Sequence, residues 1–170
     1  MIAMIMLNKS SLQTHRYGKA SILDWLITFA NLNPVLRLAV IQDDNFPHVT
    51  PVWFVFDGNA FYIATDLYRK TGRTTKKVEY IKKNDKVALL IDSYNPVDWD
   101  QVQGVMIQGI AEFVQDNSDE YRYAINLLKK KYPDYRGKYS KWLEGKDPKR
   151  HPIVIKVAKF KYTYWPQEGS

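Results

Sequence analysis

Two apolar runs joined by a three-residue turn constrain this chain more than any other feature. They are HVTPVWFVF (residues 48–56) and AFYIAT (60–65), on either side of Asp57-Gly58-Asn59. Runs rich in Val, Phe, Tyr and Ile read as strands. A short polar turn with a glycine between two such runs closes a β-hairpin. Four more stretches have strand character: VLRLAVIQ (35–42), KVALLID (86–92), VQGVMIQGIAEFV (102–114) and PIVIKVAKFKYTYW (152–165). Helical spacing marks residues 20–32, a short piece after residue 74, residues 118–132 and residues 138–144. Ser118 is placed to cap the third of these, and Lys129 to Lys131 suit its C-terminal dipole. Six strands, mostly in hairpins, with helices before, between and late, predict a mostly β chain: an antiparallel six-stranded barrel with flanking helices.

Pro51 lies inside the second strand. It has no N–H to give to a ladder, so the strand is an edge or is bulged there. That is either a tolerated edge proline or a strand whose backbone faces a ligand.

Length and composition predict a single domain over residues 1–170. The chain has no cysteine, which removes disulfides, thiolate metal sites and a cysteine nucleophile. Its three histidines, His15, His48 and His151, are far apart, and no metal-binding motif surrounds them, so no metal is expected. No apolar run approaches the roughly 20 residues of a membrane helix. The start, MIAMIMLNKSS, lacks the basic leader and cleavage site of a signal peptide. A cytoplasmic setting is expected. The net charge of +7 favours an anionic partner such as a phosphorylated cofactor or nucleic acid.

The charge gathers in TTKKVEYIKKN (74–84), where Val78 and Ile81 face inward on a short helix. A helix N-terminus offers free N–H groups and a partial positive charge. Thr75 adds a hydroxyl, Lys76 and Lys77 add point charges, and Arg73 adds a planar fork. The set suits a phosphate monoester. A solvated basic helix with a threonine cap is the competing reading.

The order of these pieces resembles the FMN-binding split-barrel family that includes pyridoxamine 5′-phosphate oxidase. The resemblance runs over residues 35–115 and returns at 152–168. It is carried by PVWFVFDGNAFYIAT, TKKVEYIKKNDKVALLID, VMIQGIAEFV and KYTYWPQEG. It implies a split barrel that binds FMN at a homodimer interface, with flavin-dependent oxidoreductase chemistry. By that resemblance, Pro51, Val52, Trp53 and Phe54 run beside the flavin ring, and Ala64 and Thr65 touch its ribityl-phosphate side. Thr75, Lys76 and Lys77 match the family's phosphate triplet, with lysine in place of arginine. Trp165 matches a tryptophan that reaches the flavin from the partner subunit. Trp53 reads equally as a core aromatic, and Trp165 as a rim aromatic.

The chain also departs from the oxidase. The loop between Thr65 and Thr75 is longer, and its Arg69, Lys70, Thr71, Gly72 and Arg73 are candidates for phosphate contact or substrate. The family's flavin-contacting glutamine falls near Gly104, between Gln103 and Gln108, and has no assigned replacement. The arginine- and histidine-bearing segment beyond the tryptophan is missing, so oxidation of pyridoxamine phosphate is not expected. The deazaflavin F420 is the alternative cofactor. A nucleic-acid-binding barrel is a further alternative, with KKKYPDYRGKYSKW (129–142) supplying cations and aromatics. A flavin or haem carrier, with His48 or His151 as haem ligand, is the last. Neither a substrate nor a catalytic acid–base pair is legible, and His48 reads as a strand-end surface residue.

Overall fold

A computed structural model describes residues 3–6, 19–98, 102–133 and 138–165. In chain order the elements are β1 (Ala3–Met6), α1 (Lys19–Leu32), β2 (Leu36–Ile41), β3 (Pro47–Phe56), β4 (Phe61–Tyr68) and β5 (Arg73–Thr74). There follow α2 (Lys76–Lys83), β6 (Lys86–Ser93), β7 (Gln103–Phe113), α3 (Asp119–Lys131), α4 (Lys138–Leu143) and β8 (Arg150–Trp165). The sheet order is β1-β8-β7-β6-β2-β3-β4-β5, and a further β8–β4 pairing closes six of these strands into an antiparallel barrel. That is the split barrel expected from the sequence. His15, residues 134–137 of the basic–aromatic stretch and Pro166 to Gly169 of the last family-like stretch lie outside the described residues.

Two strands were not anticipated. β1 lies antiparallel beside the end of β8, with Ala3 opposite Tyr164. β5 pairs back on β4, with Leu67 opposite Thr74 and Tyr68 opposite Arg73. The sequence had suggested a polar loop over residues 66–73. Instead β4 runs on to Tyr68, because β8 offers it a ladder: Leu67 faces His151 and Tyr68 faces Arg150. Tertiary pairing here overrides a locally polar composition.

Closure depends on two strands that change partners. β8 pairs with β4 from Arg150 to Val157 and with β7 from Ile155 to Trp165. β3 pairs with β2 from Pro47 to Val52 and with β4 from Trp53 to Phe56. Pro51 therefore sits on a segment whose β4 side is open.

The barrel interior is filled by alternate residues of each strand, among them Leu36, Leu38, Phe54, Phe56, Phe61, Ile63, Leu89, Ile107 and Ile155. α1 plugs it with Ile22, Leu26, Phe29 and Ala30, and α2 with Val78 and Ile81. Each fully buried side chain of this kind contributes about 1.5–3 kcal/mol. A second apolar layer lies outside the barrel. There Tyr121, Ala124, Ile125 and Leu128, one face of α3, pack with Trp142 and Leu143 on Val55, Tyr62, Ala64 and Val154. Ser118 caps α3 as expected, its Oγ accepting from the Tyr121 N–H at 3.1 Å. Among the described residues no helix is long and apolar enough to cross a membrane.

Candidate functional site

The ladder between β3 and β4 stops at the pair Trp53–Ala64. Val52 with Thr65 and Pro51 with Asp66 would be the next rungs, but Pro51 has no N–H and the strands splay. The wedge so opened is a cleft of about 360 Å³ lined by both splayed segments, with Lys77 of α2, Trp142 of α4 and Arg150 of β8 closing it. Of the residues singled out in the sequence, Pro51, Val52, Trp53, Ala64, Thr65 and Lys77 meet here.

Thr75 joins them from the edge. It stands at the N-cap of α2, yet its hydroxyl makes no capping bond. Its Oγ1 lies 2.9 Å from Thr65 Oγ1 instead. Lys77 Nζ reaches the same Thr65 oxygen at 3.5 Å. The first bonds of α2 run from the Val78 and Glu79 N–H groups to the Thr75 carbonyl. The N–H groups of Lys76 and Lys77 precede them and have no partner within the helix.

Burial sets the electrostatics. It lowers the Lys77 ammonium from its ordinary value, and the nearby Asp66 charge only partly opposes this. Burial also raises the Asp66 carboxyl, against the pull of Arg150 and Lys77. Both groups are thus pushed towards neutrality. Asp66 Oδ1 is buried with no hydrogen-bond partner among the described residues, the Arg150 guanidinium standing off at 3.7 Å. Arg150 Nη2 is 3.3 Å from Asp147 Oδ2. An anion entering this wedge would favour the charged form of Lys77 and find hydroxyl, ammonium and N–H donors together. The residues present therefore fit a phosphate.

One wall is aromatic. Trp53 stacks on Tyr132 at 5.6 Å and meets Trp142 edge-on at 5.7 Å. Arg150 lies over Trp142 at 5.9 Å. The Tyr132 hydroxyl accepts from the Phe54 N–H at 3.0 Å and lies 2.9 Å from both the Phe54 and Pro34 carbonyl oxygens.

The other sequence candidates lie elsewhere. The Phe54 side chain is fully inside the barrel, and its N–H and C=O are taken by Tyr132. Lys76 is exposed and spends its charge on Glu79 at 2.8 Å. Thr71 and Arg73 line a separate cleft with Lys70 and Lys149, and Gly72 makes the turn beside it at φ 63°. Trp165 is at the far end of the 16-residue β8, its ring lying against Gly104 so closely that a Cβ there would overlap it. Gln108 is on the outer sheet surface, away from the wedge. His48 packs against Tyr80 at 5.6 Å. His151 holds Asp116 at 3.0 Å through Nε2 and Arg69 Nη2 at 3.3 Å through Nδ1. Neither histidine lines the wedge.

Asp66, Trp142, Arg150 and Val35 belong to the wedge but were not singled out. Trp142 was visible only as part of the basic–aromatic stretch 129–142. Tyr132 and Trp142 are 8% and 4% exposed, so these two rings are packing groups and not a stacking surface for nucleic acid. Arg150 carries no local signal; only the β4–β8 register brings it to Asp66.

Solved structures with this fold span almost the whole chain. A conserved hypothetical protein from Mycobacterium tuberculosis aligns with a TM-score of 0.66 at 20% identity, over 92% of this chain and 91% of that one. An FAD-binding protein from Mesorhizobium loti aligns with a TM-score of 0.56 at 15% identity, over 96% of both chains. The haem storage protein HutZ from Vibrio cholerae aligns with a TM-score of 0.54 at 12% identity, over 89% of this chain and 91% of that one. At such identities the likeness is one of fold. The chain matches no curated protein in sequence. The family model described as pyridoxamine 5′-phosphate oxidase matches residues 26–164, which takes in the barrel, the wedge and α2 to α4, and the chain belongs to that family.

Proposed function

We propose that the wedge binds the phosphate of FMN and that the protein is a homodimeric, flavin-dependent oxidoreductase. The observation that carries this is the convergence of Thr65, Thr75, Lys77 and the free N–H groups of α2 where β3 leaves β4. In this reading Lys77 and the two hydroxyls hold the phosphate, and the open edge of Pro51 to Trp53 orients the ring. The flavin supplies two-electron or hydride transfer when bound. The chain's part is to bind, orient and exclude water. Flavin is favoured over haem because no histidine among the described residues lines the wedge, and the FAD-binding relative supports a flavin in general.

The dimer has a physical motive. α3 and α4 cover the outer face of β3, β4 and the first part of β8. The outer face of β2, β6, β7 and late β8 instead presents Ala39, Ile41, Ala88 and Ile110 around an open groove of about 750 Å³. A second copy on that face would cover these groups and could carry its Trp165 towards the flavin. F420 remains the second reading, favoured by the cations at Lys70 and Arg73 just beyond the wedge.

The visible spectrum of the purified protein, with the mass of whatever heat releases, tests the reading. A two-banded oxidised-flavin spectrum with an FMN mass supports it. A single deazaflavin band moves the answer to F420. A colourless protein that also refuses added FMN overturns it.

A further inference from the structure

β4 carries Tyr68 directly between two arginines. Its Cα partner on β5 is Arg73, and its Cα partner on β8 is Arg150. Residues opposite one another on adjacent strands point to the same face, and neighbouring strands lie about 4.8 Å apart. Arg73, Tyr68 and Arg150 therefore form one row about 10 Å long. Arg150 ends this row in the wedge; Tyr68 and Arg73 continue it into the adjacent cleft of about 550 Å³, which Lys70 and Lys149 also line.

Three features mark that cleft as a built site. Its cations are unopposed: among the described residues Lys70, Arg73 and Lys149 form no ion pair, whereas Lys83, Arg122, Lys129, Lys146 and Lys156 each hold a carboxylate. Glu79, which feels the Arg73 charge, is already paired with Lys76. Next, the row's central ring is open, with Tyr68 43% exposed. Finally, both walls are fixed to each other. Arg69 donates to the Gly145 carbonyl at 2.6 Å and the Asp147 carbonyl at 3.0 Å, and its own N–H reaches the Lys149 carbonyl at 2.9 Å. The turn is fixed too, the Gly72 N–H bonding the Tyr68 carbonyl at 2.8 Å.

We propose that this row is a nucleotide subsite: a base stacks on Tyr68 while its phosphates lie on Arg73, Lys70 and Lys149. A base offers a π-face to an aromatic ring, and phosphate matches the guanidinium fork and the ammonium charges. The ligand is the second half of a dinucleotide whose first phosphate sits in the wedge, or a separate nucleotide beside it. Only the first of these rests on the phosphate reading above.

Calorimetric titration of the full chain with ADP tests the proposal. Wild type binds ADP more tightly than inorganic pyrophosphate. Tyr68→Ala weakens ADP about tenfold and leaves pyrophosphate unchanged, whereas Tyr68→Phe keeps ADP binding. Arg73→Gln weakens both. Far-UV circular dichroism and Tm check that each variant is folded, and the Tyr68→Phe comparison holds even where Tyr68→Ala unfolds. The same variants titrated with FAD and FMN separate the sources. Loss for FAD but not FMN assigns the subsite to a dinucleotide flavin; no change for either assigns it to a separate nucleotide. ADP binding in a protein that takes no flavin upholds the subsite while refuting the flavin reading. Equal affinity for ADP and pyrophosphate, both indifferent to Tyr68→Ala, would overturn the proposal and leave a cationic rim.

Discussion

Thr65 and Thr75, ten residues apart, bring their hydroxyl oxygens within 2.9 Å across the base of the wedge. Thr75 forgoes the capping bond its position allows, so the start of α2 stays open, and Lys77 is drawn to the same oxygen. The contact ties the end of the ladder to the helix N-terminus. It places hydroxyl, ammonium and N–H donors around one point.

Asp66 sets how strongly that point attracts an anion. Its carboxyl lies in the wedge beside Lys77 and Arg150, with burial raising it and the two cations opposing. Asp66→Asn removes the one acidic side chain that lines the wedge among the described residues, and FMN binding is expected to tighten several-fold. The gain should shrink at low pH, where wild-type Asp66 is itself protonated. Fluorescence titration of both proteins at two pH values measures this. Weaker FMN binding by the variant at both would contradict it.

Tyr132 fastens α3 to the strand that opens the wedge. Phe54 is fully buried, and its N–H has the Tyr132 hydroxyl as acceptor. Tyr132→Phe leaves that N–H unpaired, which costs about 1–3 kcal/mol. Thermal or denaturant unfolding should show a loss of that size, with the variant still folded at room temperature. An unchanged midpoint would mean the hydroxyl contributes nothing net.

Gly104 is required by the ring of Trp165. A Cβ at Gly104 would overlap that ring, so Gly104→Ala forces ring or strand to move. Overpacking of this kind destabilises by about 1–3 kcal/mol. Adding Trp165→Ala should recover most of the loss. A double variant no more stable than Gly104→Ala would show that the glycine serves the β7 backbone and not the ring.

Lys131 makes stability depend on pH. Its ammonium lies 3.4 Å from the centre of the Phe54 ring and donates to the Ala30 carbonyl at 3.0 Å. Burial lowers it from 10.5 to about 7. The folded state therefore holds this proton less tightly than the unfolded chain. Its unfavourable contribution is full below about pH 7 and is relieved as pH rises towards 10.5. The difference in Tm between wild type and Lys131→Met should shift in favour of wild type from pH 7 to pH 9.5. A difference independent of pH would show that the ammonium is not desolvated.

The barrel was legible because its strands carry their own signals. The Asp57-Gly58-Asn59 turn, the apolar run of β6 and the capped, periodic α3 all stand where the pattern puts them. Pro51 was legible as an interruption, and the opening of the wedge is its consequence. β5 and the extension of β4 were not legible, since Asp66 to Tyr68 pair with the distant Arg150 to Pro152 of β8 and β5 forms only by folding back on Leu67 and Tyr68. The wedge was half legible. Lys77 and Thr75 announce themselves in a local run, whereas Asp66, Trp142 and Arg150 are brought together only by the β4–β8 register and the docking of α4. Lys76 and Lys77 look equivalent in sequence. The helix turns one to Glu79 at the surface and the other into the wedge.

That difference gives the most direct measurement: FMN and riboflavin affinities, by quenching of flavin fluorescence, for wild type, Lys77→Ala and Lys76→Ala. Charge-assisted hydrogen bonds contribute about 1.5–3 kcal/mol, so loss of the Lys77 ammonium should weaken FMN by roughly tenfold or more. The account predicts that wild type prefers FMN to riboflavin, that Lys77→Ala loses most of this preference, and that Lys76→Ala keeps it. Equal binding of FMN and riboflavin by wild type, or equal losses in the two variants, would contradict a phosphate site in the wedge.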